Sequence, residues 1–120
     1  MAERAVVTIN PGSSGVEHAV LLTWSGLLNG DTGAPVTFHD YPDRTVQITG
    51  TFGASGSVSF EGSNDGTNWV VLTDPQGGAI TKTSASIETV TEVPRYVRPN
   101  VTAGDGTTNL VVTMFARTPR

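Results

Sequence analysis

Thr45-Val46-Gln47-Ile48-Thr49-Gly50-Thr51-Phe52 is followed, after Gly53-Ala54-Ser55-Gly56, by Ser57-Val58-Ser59-Phe60-Glu61-Gly62-Ser63. In the first run Val46, Ile48 and Phe52 share one parity with Gly50, while Thr45, Gln47, Thr49 and Thr51 take the other. A repeat of two residues is that of a strand with one face buried. In the second run Val58 and Phe60 read as inward, and Ser57, Ser59 and Glu61 as outward. The glycine-rich link between them predicts a hairpin.

The rest of the chain has the same grammar. Ala5 to Ile9 is a β-rich run stopped by the turn-forming cluster Asn10 to Gly15. Ala19 to Trp24 reads as a strand that is either buried on both faces or has one face at an interface. Val36 to Phe38 reads as a short edge strand, before Pro42, which cannot donate a ladder hydrogen bond. Trp69 to Thr73, Ile87 to Val93, Arg95 to Val101 and Leu110 to Arg117 complete the set, and Asp-Gly pairs mark turns at Asp65-Gly66 and Asp105-Gly106. Runs at this spacing, with no helical pattern between them, predict an all-β fold: an antiparallel sandwich or jelly roll of about eight strands in a single domain. Residues 1–16 read as an N-terminal strand or arm with its turn, and residues 17–120 as the sandwich.

Composition agrees and excludes several functions. The 120 residues include 14 Gly and 7 Pro, only 15% charged residues, and no cysteine. Without cysteine there is neither a disulfide framework nor a thiolate zinc site. The net charge is −4, and the basic residues never cluster, which argues against a nucleic-acid partner. The N-terminus has no signal-peptide pattern, and the longest apolar stretch, Ala19 to Leu22, is far short of a membrane span. Synthesis in a host cytoplasm without export, and no membrane partner, are the expectations.

The candidate chemistry is thin. His18 and His39 lie on unlike segments with no marked nucleophile or third ligand, and read as surface histidines. Hydrolase and phosphate-loop signatures are absent. Glu61 to Gly66 has the oxygen spacing of a calcium loop, but its twelfth position is Leu72 where a bidentate Glu is required, so a hairpin turn is the better reading. Trp69 reads as a core anchor. No catalytic residue, metal ligand or cofactor is expected.

The segment Glu61-Gly62-Ser63-Asn64-Asp65-Gly66-Thr67-Asn68-Trp69, with the later Pro94-Arg95-Tyr96-Val97-Arg98, resembles two families. Over residues 61–101 it resembles the strand-turn-strand and following strand of discoidin-like (coagulation factor 5/8 type C) jelly rolls, which implies glycan binding as an alternative function. The chain lacks that family's N-terminal half and its closing disulfide. Across its whole layout the chain is similar to the small β-sandwich structural proteins of tailed bacteriophages. That resemblance implies a non-enzymatic capsid decoration or cement protein on the virion surface, with the major capsid protein and copies of itself as partners.

Candidate contact residues follow from position. Ala5, Val6 and Val7 lie on the first run, separated from the core by the Asn10 to Gly15 loop, and are expected to reach across to another subunit or to the shell. Trp24, Phe38 and Tyr41 are aromatics of the less regular first half and candidates for an exposed contact. Arg98 shares a strand face with Tyr96, and one of Arg95 and Arg98 is expected to meet a carboxylate, within the sheet or across an interface.

Overall fold

A computed structural model of the chain describes residues 2–9, 19–37 and 41–117. Their strands are β1 (Glu3–Arg4), β2 (Val6–Ile9), β3 (Ala19–Leu27), β4 (Thr32–Gly33), β5 (Asp43–Thr51), β6 (Ser57–Ser63), β7 (Val70–Val71), β8 (Thr81–Lys82), β9 (Ser86–Thr89), β10 (Tyr96–Ala103) and β11 (Asn109–Arg117). They form two sheets. The first has the order β1-β4-β10-β6-β7, with β8 also paired to β6, and the second has the order β2-β3-β11-β5-β9. From β3 to β6 and again from β8 to β11 successive strands alternate between the sheets as in a jelly roll, while β6, β7 and β8 stay in the first, so the all-β sandwich is as expected.

The core lies between the sheets. Leu22, Trp24, Val46, Ile48, Leu110, Val112 and Met114 of the second sheet meet Val58, Phe60, Val97 and Val101 of the first, all at 1% exposure or less. The register of β3 on β11 slips between Leu110↔Leu27 and Val112↔Trp24, which leaves one extra residue in β3. Gly26 absorbs that bulge at φ +65°, so Leu27 turns back to the core after Trp24. This is why β3 runs past Trp24, where regular alternation ends.

One expected connection differs. Residues 46–52 and 57–63 do not form a hairpin: β5 pairs with β11 and β9, whereas β6 pairs with β10, β7 and β8 in the other sheet. The link at residues 53–56 is therefore a crossing between sheets. Gly53 turns it at φ +72°, and a Cβ there would come within 2.2 Å of Asp105 Oδ1. Asp105 holds the crossing in place by accepting from the Ala54 N–H at 2.8 Å. The Asn64 to Asn68 turn does join a hairpin, β6 to β7. Of the expected edge strand at Val36 to Phe38, Val36 makes a single bridge to Val97, and Phe38 lies outside the described residues.

Candidate functional site

The N-terminal run is part of its own domain. β1 pairs in parallel with β4 in the first sheet, and β2 pairs antiparallel with β3 in the second, so Ala5 is the residue at which the chain changes sheets. The buried Asp31 carboxylate fixes the start of this path. It accepts from the Ala2 N–H at 3.0 Å, Arg4 Nε at 2.7 Å and the Leu28 N–H at 2.9 Å. Burial opposes its ionisation, but the Leu28 N–H, the Arg4 guanidinium and the Ala2 N–H together hold the carboxyl below its ordinary value. The run that holds Ala5, Val6 and Val7, expected to reach across to another subunit or to the shell, thus pairs within its own chain: Val6 packs on the core, and Val7 is left 60% exposed on the sheet face. The loop Asn10 to Gly15 lies outside the described residues, as do His18 and His39.

The aromatics need a second correction. Trp24 is fully buried, its ring edge-on to Phe60 at 6.1 Å between centroids, and its Nε1–H donates to the Ala34 carbonyl at 3.0 Å. Gly33 makes room for it, since a Cβ there would lie 2.5 Å from the indole. Trp24 is thus a core residue and not a contact for a partner. Tyr41 is half-buried against the core, and its carbonyl accepts from Arg44 Nη2 at 3.0 Å. Arg44 itself is only 2% exposed, pointing inward from β5, and burial lowers the pKa of its guanidinium.

The outer face of the first sheet carries the residues that drew attention in the sequence. Arg98 stands opposite Glu61 in the β10–β6 ladder, and its Nε donates to Glu61 Oε1 at 3.2 Å. Asn100 Nδ2 donates to the other oxygen at 2.9 Å. The carboxylate that an arginine of this strand was expected to meet is therefore in the same sheet. Trp69, expected in the core, lies half-buried on this outer face, with the Arg98 guanidinium 4.0 Å from its ring centroid. Ser59 and Glu61 point outward as expected, but this network and the 2.9 Å hydroxyl contact of Ser59 with Thr81 cover them. Lys82 Nζ meets Glu88 at 2.8 Å, tying β8 of the first sheet to β9 of the second.

The β6–β7 turn is held by Asp65, whose carboxylate accepts from the N–H groups of Asn68 and Thr67, each at 2.8 Å, from Asn68 Nδ2 and from the Ser63 hydroxyl. These donors hold its pKa far below the usual carboxylate range. The sequence that has calcium-loop spacing thus directs its central carboxylate at its own backbone. Behind the turn an open cleft of about 400 Å³ runs between β7 and residues 92–94, with Val70 and Val93 exposed at its mouth and Glu92 held by the N–H and hydroxyl of Thr73.

The outer face of the second sheet is of another kind. Val7, Thr23, Thr113, Gln47 and Ile87 stand in one cross-strand row over all five strands. The next row brings Phe115 between Leu21 and Thr45. Among the described residues the ionic side chains on this face are Asp43 and Arg117, paired at 2.7 Å at one end. Sequence reasoning pointed only to Val7 here. Phe115 and Ile87 have the alternating signal that marks them as outward, but alternation does not reveal that the two rows are continuous.

The chain matches no family model and no curated protein. Among solved structures it is similar to the SPBc2 prophage-derived protein YomS, with a TM-score of 0.62 and 12% identity over 82% of this chain and 93% of that one. It is also similar to peruvianin-I, a cysteine peptidase from Thevetia peruviana latex, with a TM-score of 0.50 and 13% identity over 94% of this chain and 60% of that one. At these identities the likeness is one of fold alone.

Proposed function

We propose that this chain is a structural virion protein of a tailed phage, a decoration or cement subunit that binds the outside of the assembled capsid and reinforces it without catalysis. The observation that carries the reading is where the polar chemistry goes. Asp31, Glu61, Asp65, Glu92 and Asp105 are each bonded to groups of the fold itself. Such an arrangement rigidifies a small domain and presents broad sheet faces, which suits reinforcement of a shell better than turnover of a substrate. The fold shared with a prophage-derived protein and the phage-type hairpin and strand motifs support the same reading. In this reading the major capsid protein is the partner, and the site of action is the capsid surface.

The test is reconstitution. Shells of the source phage stripped of this chain are mixed with purified protein, sedimented and heated. The proposal expects co-sedimentation at saturation and a higher temperature of DNA release. Protein that stays in the supernatant would refute it.

One observation favours a second reading, a discoidin-like glycan-binding module on a tail or baseplate. Trp69 is a half-exposed aromatic beside Arg98, Glu61 and Asn100, the combination that a sugar face and its hydroxyls use. Binding to a glycan array that Trp69→Ala abolishes, without binding to shells, would favour it.

A further inference from the structure

We propose that the outer face of the second sheet is the surface through which one copy of this chain packs on another, face to face about a two-fold axis. The row Val7, Thr23, Thr113, Gln47 and Ile87 spans the sheet from edge to edge, and its two ends, Val7 and Ile87, are 60% and 61% exposed. Phe115, 37% exposed, adds an aromatic in the adjoining row. Solvent-facing sheet surfaces ordinarily carry charges that keep molecules apart. On this face the described ionic groups are one mutually neutralised pair at the end of the strands.

Charge selects the occupant. The chain carries −4, so copies repel one another, and the contact that costs least in repulsion is one that keeps the charged groups distant. Glu3, Arg4, Glu61, Lys82 and Arg98 all belong to strands of the first sheet. Packing second sheet against second sheet places those groups on the two outer sides of the pair. A strongly acidic or basic partner would find no opposite charge on this face. A two-fold contact, by contrast, must be self-complementary. Threonine and glutamine meet that demand, because each donates and accepts, and an axis along the row brings Val7 and Ile87 each onto its own counterpart.

The area is of the right size. The strand lengths and spacings of the second sheet give a flat footprint of about 550 Å², close to the roughly 600 Å² per partner at the lower end of stable interfaces. Two sandwiches packed this way form a four-layer stack, with the new interface built like the one inside each domain.

The inference is read from geometry and does not rest on the capsid proposal. Sedimentation equilibrium of the full chain, loaded at roughly 100 μM where an interface of micromolar affinity is filled, should give twice the chain mass of 12.5 kDa. Thr113→Lys, at the centre of the row, would set two ammonium groups together and weaken association by on the order of a hundredfold. Thr102→Lys, exposed on β10 of the first sheet, should leave the mass unchanged. Should Thr113→Lys lose its fold by circular dichroism, Gln47→Lys makes the same test from an exposed position in the same row. A wild-type mass of 12.5 kDa at that concentration would overturn the proposal, as would association that survives the lysine variants. A monomer that binds purified shells through this same face would also overturn it and assign the face to the shell.

Discussion

The two sheets of this sandwich bury similar inner faces and present opposite outer ones. On the first sheet, Glu61 is bonded to Arg98 and Asn100 of the neighbouring strand and Ser59 to Thr81 on the other side, and Trp69 lies under the arginine. On the second, Thr23, Thr113 and Gln47 stand in a row between Val7 and Ile87, and the charged pair is confined to one end. The difference separates two uses of surface. A bonded polar network contributes to the stability of its own chain, whereas an uncharged, apolar-ended row adds little to the monomer and is suited to contact with something outside it.

Substitutions should separate the faces from the core and from each other. The largest effect is expected from Trp24→Ala, which removes the indole between both sheets and should cost about 3–5 kcal/mol in urea unfolding. A cost near that of a surface site would show that the inner packing described here is wrong. Glu61→Ala should come next, at about 1–3 kcal/mol, because it leaves Arg98 and Asn100 without their acceptor in a half-buried setting. If Glu61→Ala were neutral, the first face would be no more a stabilising network than the second.

Acid should also act unevenly. Asp105 is held at about 2 by the Thr107 hydroxyl, the Ala54 N–H and the Thr107 N–H, while Asp31 and Glu92 are lowered by their own donors. Their folded values lie below the unfolded ones, so the unfolded chain binds more protons, and stability falls as pH drops from about 4 toward 2. Hydrogen exchange in that window should loosen residues 2–4 and 53–56 before the β3–β11–β5 ladder, and uniform loosening would contradict the assignment. The smallest effect is expected from Thr49→Lys on the second face, within about 0.5 kcal/mol for the folded monomer. A large loss there would mean that this face is covered by its own chain.

Much of the fold was legible because burial on one face imposes a period of two, and β11 displays it over all nine residues and β5 and β10 over their first seven. Alternation reports which side chains face the core but not which strand lies alongside, so residues 46–63 read as a hairpin although they belong to two sheets. The signal that was missed is Gly53 with Ser55, both at positive φ, beside a distant Asp105 that closes the crossing. Trp24 was misplaced because the apolar Leu21 falls among Val20, Leu22 and Trp24, so composition along β3 does not tell its buried face from its outer one. Trp69 was misplaced because an aromatic at a strand start has the same appearance in sequence whether it turns inward or stacks under an arginine of a strand far along the chain. The N-terminal path, from one sheet to the other in seven residues, depends on the single carboxylate of Asp31, which no local pattern announces.

Copy number on the native particle tests the central claim most directly. Purified virions banded on a density gradient would be digested, and this chain counted against the major capsid protein by quantitative mass spectrometry. Capsid decoration predicts copies in the hundreds, in simple ratio to the shell protein. A handful of copies per particle, or recovery in the soluble fraction alone, would contradict it.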